Sequence, residues 1–281
     1  MSALIAATVV AHVPTLARAD ITPPFQQTLV EGQRLLGEKL RALQPELWVV
    51  ASTHWVSTFN WLATCQAEHK GVCVATEAPD LMPGMPYHYR GDPAFAEALL
   101  ESWHSLGLPA ARNESPHYEW DYGTCVPLSH LDPRAEVAVV GVPTVLLADL
   151  AECRRAGEAV YSAAEKLGRR TVFVASTALS HALVRGRHHE PTPERAEADR
   201  ILIGRLQRGE IESVIAGFSD YHRVAVAEMG GRVLATLWGV LRAMAQCGPL
   251  AGRQFGGYAQ SSGSGNANIA VAATEIIAQF G

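Results

Sequence analysis

The feature that most constrains the fold of this chain is a regular alternation of short apolar segments with longer amphipathic ones. Short apolar segments are typical of strands buried on both faces, and they occur at residues 4–11, 47–52, 136–144, 170–176 and 268–277. Segments with helical spacing of apolar residues lie between them, at 28–44, 92–107, 147–168, 192–209 and 223–246. This order predicts an α/β fold in which a largely parallel central sheet is flanked by helices.

The length and composition favour one large domain. The chain has 281 residues, and 48% of them are apolar, which allows a sizeable core to be buried. No repeat, low-complexity tract or long linker divides the sequence. We therefore expect a single domain over residues 1–281.

Charge and cysteine content argue against several classes of protein. The formal net charge of −5 provides no basic stripe for nucleic acid and no electrostatic attraction to a membrane surface. No apolar segment reaches the roughly 18 residues needed to span a bilayer, and the first residues lack the basic region of a secretory signal. The five cysteines are odd in number and form no CxxC pair. The sequence thus predicts a cytoplasmic protein without nucleic-acid or membrane partners.

Three histidines follow predicted strands and form the main candidate site. His12 comes after the strand at 4–11, His54 after 47–52 and His181 shortly after 170–176. Ligands of an open parallel sheet bind at the carboxyl ends of its strands, so we expect the three imidazoles to converge there. The alternative is that each histidine is an ordinary hydrogen-bonded loop residue.

A glutamate in an apolar segment is the candidate that completes this site. Glu228 is the one charged residue of "VAVAEMGG", and a buried carboxylate is costly unless it is paired or bound to a metal. Two histidines and one carboxylate with open coordination positions form the facial triad of non-haem Fe(II) oxygenases. The remaining histidine would be free for acid–base work near pH 7. Alternatively, Glu228 pairs with Arg232 at the i+4 position.

Three further segments have a composition that bears on the site. The stretch 77–135 is rich in Pro, Gly, His and aromatic residues and poorly periodic, which is typical of functional loops. "SSGSGNAN" (261–268) lacks the GxGxxG context of a phosphate-binding loop, so we expect a tight turn near the site. "HHE" (188–190) lies in a charged loop and is interpreted as solvated surface.

Six short motifs give the chain an end-to-end resemblance to a known family. They occur in the family's order: "AHVPTL" (11–16), "THW" (53–55), "DYGTCVPL" (121–128), "ALSH" (178–181), the glutamate of "AEMGG" (227–231), and "SSGSGNAN" (261–268). Together they resemble the type II extradiol catechol dioxygenases, the protocatechuate 4,5-dioxygenase β-subunit superfamily. Within it, the chain looks most like the branch that cleaves homoprotocatechuate (3,4-dihydroxyphenylacetate).

The resemblance implies a role for each member of the site. His12, His54 and Glu228 would hold Fe(II), and His181 would be the catalytic acid–base. Some family members carry a second histidine where this chain has Tyr122. A phenol has a reference pKa near 10 and is a poor base at neutral pH, so we expect Tyr122 to orient substrate or oxygen.

The resemblance also suggests the substrate pocket and the reaction. Trp55 and Pro127 are expected to line the pocket, and His117 is the alternative to Tyr122. Arg232 either pairs with a substrate carboxylate or neutralises a surface glutamate.

The implied reaction cleaves a catechol-type diol with O2 to a muconic semialdehyde. Alternatives are an o-aminophenol or dihydroxypyridine substrate, zinc or manganese as the metal, a zinc-binding member that is not an oxygenase, and a metal-assisted hydrolase. We expect a homo-oligomer, although some relatives need a small partner subunit.

Overall fold

Ten strands are present in the computed structural model, which describes residues 2–82 and 84–281. In chain order they are β1 (Leu4–Val10), β2 (Leu47–Ser57), β3 (Trp61–Thr64), β4 (Glu68–Cys73), β5 (Met85–Arg90), β6 (Ala110–Asn113), β7 (Ala138–Val145), β8 (Thr171–Ser176), β9 (Leu250–Ser261) and β10 (Ser264–Ala273). Six of them form the central sheet, in the spatial order β7-β2-β8-β1-β10-β9. The first four run parallel, and the β9–β10 hairpin adds two antiparallel strands beside β1. The predicted α/β fold with a largely parallel sheet is confirmed.

Helices cover both faces of this sheet. They are α1 (Gln27–Ala42), α2 (Pro93–Ser105), α3 (Tyr122–Leu131), α4 (Leu150–Leu167), α5 (Pro193–Gln207), α6 (Ile211–Ala225), α7 (Arg232–Ala245) and α8 (Thr274–Gln279). Successive side chains of a strand point to opposite faces. Accordingly Leu47, Val49 and Ala51 of β2 pack in one core with α2, α4 and α7, whereas Trp48 and Val50 pack in the other with α1 and α3.

Close packing of α4 against α7 depends on two glycines. A Cβ atom at Gly157 would lie 1.9 Å from the carbonyl oxygen of Thr236, and one at Gly239 would lie 1.9 Å from that of Arg154. Such distances are impossible for real atoms, so a side chain at either position would force the helices apart. The two helices thereby form a firm layer beneath β8 and β1.

Two predicted boundaries differ from the structure in ways that affect the site. The strand predicted at 47–52 continues to Ser57, so His54 lies inside β2 and not after it, in the stretch between Ala51 and Val56 where the register against β7 shifts. The helix predicted at 223–246 is two helices. α6 ends at Ala225 and α7 begins at Arg232, because the backbone between them turns through left-handed φ angles of 47° at Met229 and 67° at Gly230. Glu228 therefore lies in a short 3-10 turn and not in an apolar helix.

Other elements were not predicted at all. The helix predicted at 92–107 is α2, but the rest of the stretch 77–135, interpreted as loops, also contains β5, β6 and α3. The segment before 223 contains most of α6. The last predicted strand, 268–277, begins earlier, at Ser264, and gives way to α8 at Thr274. No helix in the described parts of the chain is both long and apolar enough to cross a bilayer.

Candidate metal centre

The four predicted site residues converge at the carboxyl ends of three neighbouring strands. β2 pairs with β8, and β8 pairs with β1, all in parallel. His12 follows β1, His54 lies in the last part of β2, and His181 follows β8. The turn between α6 and α7 brings Glu228 to the same place, since Ala227 just before it forms a β-bridge with Ser180.

One carboxylate oxygen is the centre of this arrangement. Oε1 of Glu228 lies 3.4 Å from Nε2 of His12, 3.6 Å from Nε2 of His54 and 3.3 Å from Nε2 of His181. The Nε2 atoms of His12 and His54 are 3.1 Å apart. The donor atoms of His12, His54 and Glu228 all lie within 4.8 Å of one another, a spacing at which the three could share one metal ion.

The carboxylate of Glu228 is fixed through its other oxygen. Oε2 accepts hydrogen bonds from the backbone N–H of Ala178 at 2.7 Å and from the hydroxyl of Thr177 at 3.2 Å. The side chain is only 3% exposed, and no lysine or arginine among the described residues forms an ion pair with it. Burial raises the pKa of a carboxyl group, but the neighbouring imidazoles outweigh it and hold the pKa of Glu228 well below its usual range.

This donor set fits a divalent first-row cation. Two imidazole nitrogens and one carboxylate oxygen face a common point, and the buried negative charge lacks a permanent positive partner in the described chain. Outside the cluster, Nδ1 of His54 faces Oε1 of Glu77 at 3.4 Å, an arrangement that orients a metal-binding ring. Nδ1 of His12 is buried and has no hydrogen-bond partner among the described residues.

His181 is more exposed than His12 and about as exposed as His54. Its side chain is 27% exposed, compared with 24% for His54 and 7% for His12. Its backbone N–H donates to the carbonyl of Ala225 at 3.2 Å, and the residue forms a β-bridge with Ser264. Burial lowers the pKa of His181, and Glu228 only partly opposes this. The ring is therefore neutral near pH 7, as a general base requires.

Tyr122 lies beside the cluster at the start of α3. Its ring centroid is 4.0 Å from that of His54 and 5.7 Å from that of His12. Burial, together with a hydrogen bond to Glu77, raises the pKa of the phenol above its ordinary value. The hydroxyl therefore keeps its proton and can orient a ligand, but it is unsuited to accept a proton as a phenolate would.

The cluster opens into a cavity of about 290 Å³. Its walls come from the metal cluster, the 77–81 loop, the segment after β8 and the β9–β10 hairpin: His12, Val13, Pro14, Thr15, His54, Glu77, Ala78, Leu81, Tyr122, Ala178, His181, Leu183, Val184, Arg187, Glu228, Ser261, Ser262, Ser264 and Asn266. The hairpin turn at 261–268 thus reaches the site, as expected. No sequence pattern marks Glu77, Thr177 or the Ala178 amide as part of the site, because these groups reach it only when the chain folds.

The remaining pocket predictions have mixed outcomes. Trp55 lines a neighbouring cavity of about 270 Å³ that also borders His54 and Tyr122, and its ring packs on that of Tyr118 at 4.8 Å. His117 is exposed in a turn, and Pro127 is buried inside α3, so neither of them lines either cavity. The geometry therefore offers no support for His117 as a substitute for Tyr122.

Arg232 has a structural environment and does not face a ligand. Its guanidinium donates to the backbone carbonyls of Leu146 at 2.7 Å, Met229 at 2.9 Å and Ala148 at 3.1 Å. It ties the turn containing Glu228 to the end of β7. The expectations that it pairs with Glu228 or binds a substrate carboxylate are wrong.

A second buried group of hydrogen bonds, centred on Asp199, lies behind the site. No sequence pattern indicated it. Asp199 of α5 is fully buried, and its carboxylate accepts hydrogen bonds from the hydroxyls of Ser180 at 2.6 Å, Tyr258 at 2.6 Å and Tyr221 at 2.9 Å. Ser180 immediately precedes His181. The network therefore fixes the loop that positions both His181 and the Ala178 amide.

Sequence comparison relates this chain to a family model and to individual relatives. The family model described as "Catalytic LigB subunit of aromatic ring-opening dioxygenase" matches residues 6–255. The chain is 24% identical over 188 residues to a 3,4-dihydroxyphenylacetate 2,3-dioxygenase of Escherichia coli, which covers 66% of this chain and 68% of the relative. It is 25% identical over 284 residues to a 2-aminophenol 1,6-dioxygenase beta subunit of Pseudomonas sp, which covers 92% of this chain and 90% of the relative.

A solved structure supports the fold assignment. The crystal structure of an uncharacterized protein from Escherichia coli K12 superimposes with a TM-score of 0.66 at 16% identity and covers 95% of this chain and 99% of that one. At this identity the likeness concerns the fold alone. It agrees with a layered α/β domain built around the sheet described above.

Proposed function

Since this chain belongs to the family of catalytic LigB subunits of aromatic ring-opening dioxygenases, we propose that it cleaves a catechol-type diol beside its hydroxyl pair, using Fe(II) bound by His12, His54 and Glu228. Family membership confirms the resemblance inferred from the motifs, and with it the ring-opening dioxygenase activity. The substrate, the metal and the role of each residue are the proposal. We treat residues 1–281 as one catalytic domain.

The observation that carries the proposal is the position of one oxygen atom. Oε1 of Glu228 lies within 3.6 Å of three histidine Nε2 atoms from three adjacent strand ends. Two imidazoles and one carboxylate on one side of a cation leave positions open for a diol and O2, which is the pattern of non-haem Fe(II) oxygenases. When bound, Fe(II) supplies Lewis acidity toward the diol and a path for electrons to O2.

The protein's own residues transfer protons and orient the substrate. His181 is neutral near pH 7 and borders the cavity, so it can accept a proton from a substrate hydroxyl and return it as the ring opens. Tyr122 stays protonated, and its hydroxyl orients the substrate or oxygen beside the cluster. Both atoms of O2 enter the ring-opened product, a muconic semialdehyde.

A second candidate substrate is an o-aminophenol. It is favoured by the likeness to the 2-aminophenol 1,6-dioxygenase beta subunit, which extends over most of both chains. An amino group beside a hydroxyl presents the same two neighbouring donor atoms to a metal as a diol. A dihydroxypyridine, zinc or manganese as the metal, and a zinc-binding member without oxygenase activity stay as further alternatives.

The assembly is also part of the proposal. Two relatives carry names of subunits, the beta and the alpha subunit of a 2-aminophenol 1,6-dioxygenase of Pseudomonas sp. We propose that this chain works as a homo-oligomer in the cytoplasm. Mass photometry of the purified chain, alone and after co-expression with its genetic neighbours, tests whether a partner chain is needed.

The activity is tested by loading the metal-free protein with Fe(II) under anaerobic conditions and adding O2 with a panel of diols and aminophenols. We expect oxygen uptake and a product that absorbs near the visible edge with at least one compound. Zinc-loaded and manganese-loaded protein serve as matched controls for the metal. Absence of oxygen uptake with every compound and every metal would contradict the proposal.

A further inference from the structure

The cavity above the metal cluster has one wall with permanent positive charge. Among the described residues that line it, Arg187 is the one lysine or arginine. The other charged lining groups are carboxylates and titratable imidazoles. Because the negative charge of Glu228 is compensated by the neighbouring histidines and by any bound cation, the charge of Arg187 is available to a ligand.

The backbone around Arg187 is fixed to the hairpin tip that forms the same wall. The N–H of Ser262 donates to the carbonyl of Arg187 at 3.2 Å, and the N–H of Val184 donates to the carbonyl of Ser262 at 2.8 Å. The N–H of Gly263 donates to the carbonyl of His189 at 2.8 Å. These bonds hold the segment on both sides of Arg187 against the turn between β9 and β10.

The polar groups of this wall are free to bind a ligand. Within the described chain, the guanidinium of Arg187 makes no ion pair or hydrogen bond, in contrast to Arg18, Arg112 and Arg208, each of which pairs with a carboxylate. The hydroxyls of Ser261 and Ser262 also lack hydrogen-bond partners there. Glu77, another charged residue of the lining, is occupied by His54 and Tyr122. The cavity is therefore polarised, with unpartnered donors on one wall.

We propose that Arg187, assisted by the hydroxyl of Ser262, binds an anionic substituent of the aromatic substrate and so selects carboxylate-bearing diols over neutral ones. The inference rests on the proposed function and specifies its substrate class. A guanidinium offers two parallel N–H donors that match a carboxylate. The diol end of the substrate would face the metal cluster while its side chain extends toward the β9–β10 turn.

The test compares two diols that differ in charge, 3,4-dihydroxyphenylacetate and 4-methylcatechol. For wild-type protein we expect a higher kcat/KM with the anionic diol. In Arg187→Gln the ratio of the two kcat/KM values should fall by about 10- to 100-fold, the range expected for the loss of a hydrogen bond to a charged group. Arg185→Gln is the matched control, because Arg185 lies on the same exposed segment but does not line the cavity.

A binding measurement separates recognition from catalysis. Anaerobic titration calorimetry of the Fe(II)-loaded protein should show weaker binding of the anionic diol to Arg187→Gln than to Arg185→Gln, by a similar factor. Arg187→Glu should reverse the preference, toward a diol with a cationic aminoethyl side chain. An unchanged ratio in Arg187→Gln, with wild-type turnover intact, would overturn this inference alone. If the wild type neither binds nor cleaves any diol, the proposed function itself fails.

Discussion

The backbone amide of Ala178 donates a 2.7 Å hydrogen bond to Oε2 of Glu228, while Oε1 of the same carboxylate faces three imidazoles. The loop after β8 therefore orients the carboxylate, and the turn before α7 places Glu228 at the site. One oxygen is committed to the protein and the other is left for a cation. This division explains how a buried acid can be held in place without a lysine or arginine beside it.

The first prediction concerns Glu228→Gln. The amide oxygen can still accept the hydrogen bond from Ala178, so the fold is retained, but the anionic donor is lost. Substitution of residues that only hydrogen-bond to metal ligands lowers metal affinity by about 10- to 100-fold. Removal of the ligand itself should therefore weaken Fe(II) binding by more than that. Metal analysis after dialysis and competition with a chelator dye measure the effect. Glu212→Gln, at an exposed residue of α6, is the control, and equal metal content in both variants would refute the assignment.

The second prediction separates His181 from the ligands. His181→Gln should keep Fe(II) at the wild-type stoichiometry but reduce kcat by about 10²- to 10⁴-fold, the usual contribution of a general acid–base. His12→Gln, in contrast, should lose the metal. Metal content and steady-state oxygen uptake distinguish the two. Loss of iron in His181→Gln with retention in His12→Gln would show that the roles are exchanged.

The third prediction concerns Tyr122→Phe. Because burial and Glu77 raise the pKa of this phenol, it stays protonated and contributes at most a hydrogen bond, worth about 1 kcal/mol, or roughly a fivefold change in rate. We expect the variant to keep turnover within about tenfold of wild type and the same pH–rate profile. A loss of kcat as large as that of His181→Gln would mean that Tyr122 transfers a proton.

The sequence was sufficient to predict the sheet and the convergence of the three histidines with Glu228. Strands buried on both faces are continuous apolar runs, and parallel strands end at one edge, so His12 and His181 could be located from spacing and strand order. Glu228 could be identified because burying an unpaired charge in an apolar segment costs free energy. Its local structure could not, since the break between α6 and α7 depends on left-handed backbone at Val226 and Met229, which are residue types that rarely adopt it.

Contacts between distant segments were beyond sequence reasoning. Arg232 appeared to be a partner of Glu228 because four residues separate the two, but this spacing has that meaning only within one continuous helix. Asp199 gave no signal, because its three hydroxyl partners come from the loop after β8, from α6 and from β9. His117 and Pro127 were assigned on the resemblance to the family, which does not show that His117 lies in an exposed turn or that Pro127 is buried inside α3.

The fourth prediction is a pH-dependent stability that arises away from the site. His69 of β4 is 4% exposed and contacts the carbonyl of Val139 through Nε2 at 3.2 Å. Burial lowers its pKa to about 4, below the value near 6.5 expected when unfolded. The unfolded state therefore binds the proton first. The contribution to stability is complete above pH 6.5 and is lost as pH falls toward 4, by about 2 kcal/mol between pH 8 and pH 5.

Urea unfolding of metal-free protein at these two pH values measures this effect. His69→Gln should lose about 2 kcal/mol less than wild type over the same interval, whereas His117→Gln, at an exposed histidine, should behave as wild type. The comparison cancels the titration of the site histidines, which are present in all three proteins. An identical pH dependence in His69→Gln and wild type would contradict the prediction.

The fifth prediction concerns Asp199, which connects three elements to the loop carrying His181. Asp199→Ala would leave the buried hydroxyls of Ser180, Tyr221 and Tyr258 without their acceptor, so we expect a loss of about 3 kcal/mol in the free energy of unfolding. Burial raises the pKa of Asp199, and the hydrogen bonds from Ser180, Tyr258 and Tyr221 only partly oppose this. Asp199→Asn keeps the shape and an acceptor oxygen, and should therefore recover at least half of the stability.

The same pair of variants tests whether the network also positions the site. Because Ser180 lies between the Ala178 amide and His181, displacement of the loop should release Glu228 and weaken Fe(II) binding in Asp199→Ala by about 10- to 100-fold, with recovery in Asp199→Asn. Tyr258→Phe removes a single donor and should give a smaller effect of the same sign. If Asp199→Ala is destabilised but binds Fe(II) with wild-type affinity in the folded state, the network supports the fold alone and has no part in holding the carboxylate.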